Sequence, residues 1–218
     1  MLAFSSLLGN VEGQNIYRIW YDKPASYWEE ALPVGNGRIA AMVFGDPQLE
    51  QIQLNEETVS AGSPYQNYNE EAKTALPEMR RLIFEGKYEE AQNMAATKIL
   101  SQVGNEMPYQ TVGRLNIRYQ DHKKVNNYYR DLDISNAVAV TRYEVDGVEF
   151  TEETFASFTD QLVIRHIKAS KPGAINCELF FNTPMRDPKR SIYGKKGLRL
   201  EGITHGSRYF PGKVHYCA

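Results

Sequence analysis

The sequence predicts an all-β (mainly) protein, an antiparallel β-sandwich with a short helical insertion, and three stretches predict it. Ile39 to Phe44 is an unbroken apolar run of strand length, Gly45-Asp46-Pro47 forces a reversal, and Gln51 to Asn55 returns in strict alternation. Val138 to Val145 and Val148 to Phe155 flank Asp146-Gly147, a pair suited to the two positive φ angles of a type I′ hairpin turn. Between Asn69 and Ser101 the period changes to that of a helix, so the insertion is placed at about 69–101.

In chain order, Arg18 to Tyr21 reads as a short strand before the turn Asp22-Lys23-Pro24. The chain is organised around the stretch from Ile19 to Pro64, which centres on a hairpin about Gly35-Asn36-Gly37. The apolar run after that turn is expected to be a central strand covered on both faces. Its partner should turn Ile52 and Leu54 inward and Gln51, Gln53 and Asn55 outward. Asn69 suits an N-cap with Glu70 and Glu71 in the first turn, and Pro77 is expected to break or restart the helix. Leu76, Met79 and Ile83 mark its face up to a stop at Gly86; Tyr88, Ala91, Ala95 and Ile99 mark the next.

Tyr109 to Tyr119 returns to strand with Gly113 as a bulge. Register about Asp146-Gly147 sets Val145 against Val148, Tyr143 against Phe150 and Glu144 against Glu149, the last pair in water. Leu162 to Lys168 and Ile175 to Phe181 are expected to pair around Lys171-Pro172-Gly173, and Leu198 to Ile203 and Lys213 to Cys217 are weaker strands. Val214 to Ala218 lacks a terminating Gly, Pro or charged tail, and the expectation is a domain truncated at its carboxy-terminal end.

Composition excludes more than it selects. Aromatic residues make up 11%, Tyr foremost, which suits a β protein. A net charge of -2 from 25 basic and 27 acidic residues offers no electrostatic footprint for nucleic acid or an anionic membrane. No apolar run approaches the ~18 residues of a membrane helix, so no membrane span is expected. Met1 to Leu8 is apolar, and Val11-Glu12-Gly13 follows like a small-x-small cleavage site, although the opening basic residues of a secretory signal are missing. Residues 1–13 therefore read as a signal-peptide remnant or an ordinary apolar tail, and 14–218 as one amino-terminal domain. Export, to a periplasm or as a secreted protein, is the expectation. Cys177 and Cys217 do not decide the compartment: they leave room for a disulfide without indicating one.

The stretches IWYDKPASYWEEALPVGNGRIAAMVFGD, IQLNEETVSAGSPYQNYN, LPEMRRLIFEGKYEEAQNMA, YYRDLDISNAVAVTRYEVDGVEF and FASFTDQLVIRHIKA carry a resemblance. In this order they resemble the amino-terminal β-domain of glycoside hydrolase family 95, the α-L-fucosidases, from about Ile16 to Ala169. The resemblance implies a supersandwich-like β-domain preceding a helical linker, an α/α barrel and a carboxy-terminal β-domain. It implies an enzyme that, complete, removes terminal α-linked L-fucose or a related L-sugar from glycans with inversion and no cofactor. Its catalytic residues belong to the barrel, which has no counterpart here, so no catalytic residue transfers. Partners would be fucosylated glycans, through the full-length enzyme, and the barrel. Two departures stand out: Ser60-Ala61 replaces Trp-Ser and Glu152 replaces Arg, both expected to alter loop or surface chemistry only.

Glycoside hydrolysis needs two carboxyl groups about 5 to 9.5 Å apart. Asp22, Glu29, Glu30, Glu56 and Glu57 are the acids nearest the organising hairpin, and solvated hairpin ends are the plainer reading. Asn36, Asn55, Glu56 and Tyr65 read as residues of an active-site rim or interdomain surface, with turn stabilisation as the local alternative. His122, His166, His205 and His215 show no metal-ligand spacing, and His166 shares parity with Leu162 and Ile164 as a partly buried histidine. Tyr27, Trp28, Tyr65, Tyr68 and Tyr109 offer flat faces to a sugar, although packing at sandwich edges is the commoner use. Two functions follow: an accessory domain of a fucosidase-like hydrolase, inactive alone, or a stand-alone carbohydrate-binding or interaction module. A brace would expose an apolar patch near Trp28 and Asn55, and a module a polar cleft with aligned aromatics.

Overall fold

The computed structural model describes residues 17–61, 68–101, 108–206 and 212–218. The expected signal segment, residues 1–13, and the loop residues Gly62 to Tyr65 lie outside them. Two compact units divide the chain: one holds the described residues up to Glu57 with Thr111–Pro184, the other Thr58–Gln110 with Met185–Ala218.

The first unit is a sandwich of two antiparallel five-stranded sheets. One sheet runs β1 (Arg18–Tyr21), β6 (Val125–Asp133), β7 (Val138–Val145), β8 (Val148–Ala156) and β9 (Val163–Ala169). The other runs β10 (Cys177–Asn182), β5 (Gly113–Tyr119), β4 (Leu49–Glu56), β3 (Ile39–Val43) and β2 (Leu32–Gly35). Alternation in the sequence decides which side chains fill the space between them. Leu32, Val34, Ala41, Val43, Ile52, Ile117 and Tyr119 of the second sheet meet Leu132 and Ala139 of the first, all buried. Asp146 and Gly147 hold φ of 49° and 70°, so the hairpin turn is the one their side chains permit, and it sets Val145 against Val148, Tyr143 against Phe150 and Glu144 against Glu149.

Several expectations need correction. β3 sits next to the sheet edge, with β4 as the central strand, and it is covered on one face only: Ala41 and Val43 are buried whereas Ala40 is exposed. β5 starts at Gly113, whose φ of 141° and contact with Asn182 O leave no room for a Cβ; Tyr109 instead forms an isolated bridge with Ser60. β9 and β10 do not pair. Lys171-Pro172-Gly173 carries the chain from one sheet to the other, a choice of partner that no local pattern encodes. Beside Cys177, which packs on the core, Ile175 and Leu179 are exposed.

In the second unit, α1 (Ala72–Phe84) follows Asn69, whose Oδ1 accepts from Glu71 N at 3.0 Å. Pro77 lies inside α1 and does not break it; the carbonyl four residues back, which a proline nitrogen cannot serve, belongs to Lys73, an exposed residue within reach of water. The buried face is Ala75 and Leu82, with Ile83 exposed. Gly86 at φ 76° ends the helix as expected, with Lys87 N donating to Leu82 O at 2.9 Å and Gly86 N to Ile83 O at 3.1 Å, a Schellman closure. α2 (Tyr88–Met94) buries Ala91 and continues into a π-helical turn, Ala95–Ile99, while Tyr88 is exposed. A three-stranded sheet, β11 (Arg186–Tyr193), β12 (Gly197–Ile203) and β13 (His215–Cys217), completes this unit around Leu200.

Candidate functional site

The sandwich presents a laced loop cluster at one end of β2 and β3. Asn36 occupies the turn between them, its Oδ1 accepting from Arg38 N and Ile39 N at 3.0 Å each while Gly37 takes φ 92°. Asn Oδ1 so placed mimics a backbone turn, which is why this residue type suits the position. Its Nδ2 donates outward to Ser157 O at 2.8 Å and Gln161 Oε1 at 3.4 Å, tying the hairpin to the β8–β9 loop. Arg38 reaches the end of β4, with Nε donating to Glu56 Oε1 at 3.2 Å and the carbonyl accepting from Glu57 N at 3.0 Å. Around them Phe158 is 77% and Leu162 56% exposed.

Of the four rim residues expected from sequence, Asn36 and Glu56 are joined through Arg38, and Asn55 precedes Glu56 on β4 with a buried Oδ1 that has no hydrogen-bond partner among the described residues. Tyr65 lies outside the described residues. Trp28 does not belong to this cluster: the 3-10 turn Trp28–Glu30 enters β2 at its opposite end, roughly 13 Å of strand away. There Arg130, fully buried, donates from Nε to Lys23 O at 2.8 Å and from Nη1 to Glu30 O at 2.7 Å, with its guanidinium 4.1 Å from the Tyr21 ring centroid. Gly45, at φ 74°, lies so close to Tyr128 and Arg130 that a side chain would collide with both.

The five acids weighed as a catalytic pair take up local duties or face water. Glu30 accepts from Ser26 N at 2.8 Å, which holds its carboxyl below the usual range, and Glu56 takes Arg38, while Asp22, Glu29 and Glu57 are exposed. The two carboxylates that do meet were not among them. Glu50 and Glu152, 0% and 1% exposed, both bind Arg165 Nη2, Glu50 at 2.6 Å. Glu50 Oε1 also accepts from Phe44 N and Gly45 N at 3.1 and 2.9 Å. Glu152 Oε1 accepts the hydroxyls of Tyr119 and Tyr143 at 2.8 and 2.7 Å, and Arg165 Nη1 donates to Thr154 at 2.7 Å.

Burial pushes Glu50 up to about 7 against the pull of Arg165, and burial, with Glu152 beside them, raises both tyrosines above their ordinary range. For Arg165 burial opposes the charge, and its two carboxylates more than restore it. Sealed between the sheets, this pair is closed to a substrate and serves packing. Glu152 and Ala61, where the sequence departs from the resembled pattern, are thus interior positions, contrary to expectation.

Among the histidines, His166 is exposed beside Glu153 at 3.3 Å, so its parity with Ile164 marks the outer face. The buried histidine is His122: Nδ1 donates to Pro47 O at 3.0 Å and its ring stacks 4.3 Å from Tyr119, while burial depresses its pKa. No group of three metal-ligating side chains occurs among the described residues. Tyr27, Trp28, Tyr68 and Tyr109 are 46–65% exposed, so they do not fill sandwich edges as expected.

The chain is 37% identical over 181 residues to an alpha-L-fucosidase 2 of Arabidopsis thaliana, covering 80% of this chain and 21% of that protein. It is 26% identical over 162 residues to a probable alpha-fucosidase A of Aspergillus niger, covering 70% and 20%, and 25% identical over 174 residues to one of Aspergillus oryzae, covering 75% and 23%. The chain thus spans about a fifth of the length of these relatives. The family model described as glycosyl hydrolase family 65, N-terminal domain, matches residues 19–216, nearly the whole β architecture described above, and to that family the chain belongs.

Proposed function

We propose that this chain is the accessory amino-terminal domain of an α-L-fucosidase-like glycoside hydrolase, with residues 14–218 acting as that domain and catalysis supplied by a barrel elsewhere in the complete enzyme. The observation that carries the reading is a match to an N-terminal-domain family over 19–216 beside fucosidase relatives about five times longer than the matched stretch. Geometry supports it, because the carboxylates that meet are sealed in the core and the candidate acids at the hairpin face water or bind locally. In this reading Asn36, Asn55, Glu56 and Tyr65 belong to the rim at the barrel entrance, where Phe158 and Leu162 supply the apolar part of the contact. The complete enzyme acts on fucosylated glycans outside the cytoplasm, in a periplasm or secreted, an expectation resting on the apolar run Met1 to Leu8.

A chromogenic α-L-fucoside assay tests the proposal. The purified chain is run beside a chimera in which it replaces the matched segment of the Arabidopsis thaliana relative. Turnover by the chimera with none by the chain alone is expected. Hydrolysis by the chain alone would overturn the accessory role.

A further inference from the structure

The outward face of the first sheet carries a second arrangement, away from the rim. Trp20 on β1 is 61% exposed, and its ring stacks near that of Tyr129 on β6, with centroids 6.3 Å apart and an interplanar angle of 21°. Trp20 is paired in register with Asp131, which is completely buried. Asp131 Oδ2 accepts from Arg18 Nη1 at 3.1 Å and Arg142 Nη1 at 3.5 Å, and its Oδ1 has no hydrogen-bond partner among the described residues. Arg18 also reaches Asp133 at 3.5 Å. One buried carboxylate thereby fixes two guanidinium groups at the border of an aromatic surface, and their side chains keep 37% and 47% exposure. Each guanidinium has five N–H donors, most of them unspent on Asp131.

This combination selects a ligand class. Arg18 and Arg142 are balanced by Asp131 and Asp133, so a polyanion finds no net charge to follow. Flat rings bordered by fixed donors match a molecule with one apolar face and a hydroxyl rim, which is a pyranose ring. We propose that Trp20, Tyr129, Arg18 and Arg142 form a binding surface for a neutral pyranose unit of a glycan, with Asp131 as the positioning residue beneath it. The surface is separate from the Asn36 rim and holds a glycan without cleaving it.

Tryptophan fluorescence of the purified chain reads this directly, because Trp20 and Trp28 are its two tryptophans. A fucosylated trisaccharide and its fucose-free parent disaccharide serve as probes. Saturable quenching by either is expected, abolished in Trp20→Ala and retained in Trp28→Phe. Asp131→Asn should weaken binding about tenfold through loosened arginines, and amide shifts of the wild-type chain on titration should concentrate in β1 and β6, a readout independent of any variant's stability. No response to either sugar, or quenching lost in Trp28→Phe and kept in Trp20→Ala, would overturn the site. So would a dimer in sedimentation that Trp20→Ala dissolves, since a second copy would then own the face. None of these outcomes depends on fucosidase activity, so this site and the accessory-domain reading fail separately.

Discussion

The first unit contains two clusters built around fully buried carboxylates, and their stoichiometry is opposite. Inside the sandwich, Glu50 and Glu152 share the guanidinium of Arg165; on the outer face, Arg18 and Arg142 share the carboxylate of Asp131. The inner cluster has every group out of water, so one positive charge must offset the desolvation of two negative ones, and the shortfall appears as the raised pKa of Glu50. The outer cluster buries a single charge and leaves its guanidinium groups half in solvent. Burial of the partner, more than the number of ion pairs, therefore decides how much a charge matters to stability.

The largest break is Arg165→Met. It leaves two carboxylates sealed against each other, which should cost about 3–5 kcal/mol of unfolding free energy at pH 8. Urea unfolding of the purified chain checks this, and the loss should shrink at pH 5, where Glu50 takes up a proton. A loss below about 1 kcal/mol at pH 8 would put Arg165 on the same footing as the outer arginines.

Glu50→Gln sharpens the sign. An ordinary glutamate titrates near 4.5 and the folded Glu50 at about 7, so between those values the folded chain holds one more proton than the unfolded chain. Stability from this group is full below pH 4.5, falls as pH rises through 7 and levels off above, by about 3 kcal/mol in all as an order of magnitude. The Gln variant should lose that slope and be more stable than the parent at pH 8. Parallel pH profiles of the two chains would refute the assignment.

Next comes Glu152, a position at which the resemblance leads to the expectation of Arg. Glu152→Arg alone places two guanidinium groups on Glu50, whereas Glu152→Arg with Arg165→Met restores one charge to one. The double variant should be more stable than the sum of its single losses by roughly 1–3 kcal/mol, measured as a double-mutant cycle. Additive losses would mean that the two positions do not exchange the charge.

Local chemistry was legible in the sequence. Asp146-Gly147, Asn36-Gly37 and the glycine stop at Gly86 each specify their own backbone, and each holds; the alternation of β4 holds from Leu49 to Gln53 and fades at Asn55, whose Oδ1 is buried. Choice of partner was not: β9 and β10 join different sheets, and β3 lies off centre, because pairing is settled by packing between segments far apart in the chain. The inner cluster leaves a signal of its own in the sequence. Glu50 shares parity with Ile52 and Leu54, and Glu152 with Phe150, so two charged residues point inward on faces that the sequence marks as apolar; on β9 the expected face is that of Leu162, Ile164 and His166, and Arg165 lies with Ile167 on the other. On the rim, Asn36 was visible as a turn residue, but its reach to Ser157 spans 121 residues of chain and only the assembled sheets supply it.

The smallest effect belongs to the outer cluster and completes the contrast. Arg142→Met removes a guanidinium 3.5 Å from Asp131 on a side chain 47% exposed. Arg18 remains at 3.1 Å, and water can enter where Arg142 stood, so Asp131 is not left as a lone charge in an apolar interior. Unfolding free energy should fall by less than about 1 kcal/mol, and 0.5 M salt should erase most of the difference, because the exposed half of the pair is screened. Arg165→Met should show no such salt sensitivity, its partners lying beyond the reach of ions. If Arg142→Met cost as much as Arg165→Met and ignored salt, the outer carboxylate would be sealed as tightly as the inner pair. The guanidinium groups beside Trp20 would then be structural struts with no donors to offer a ligand.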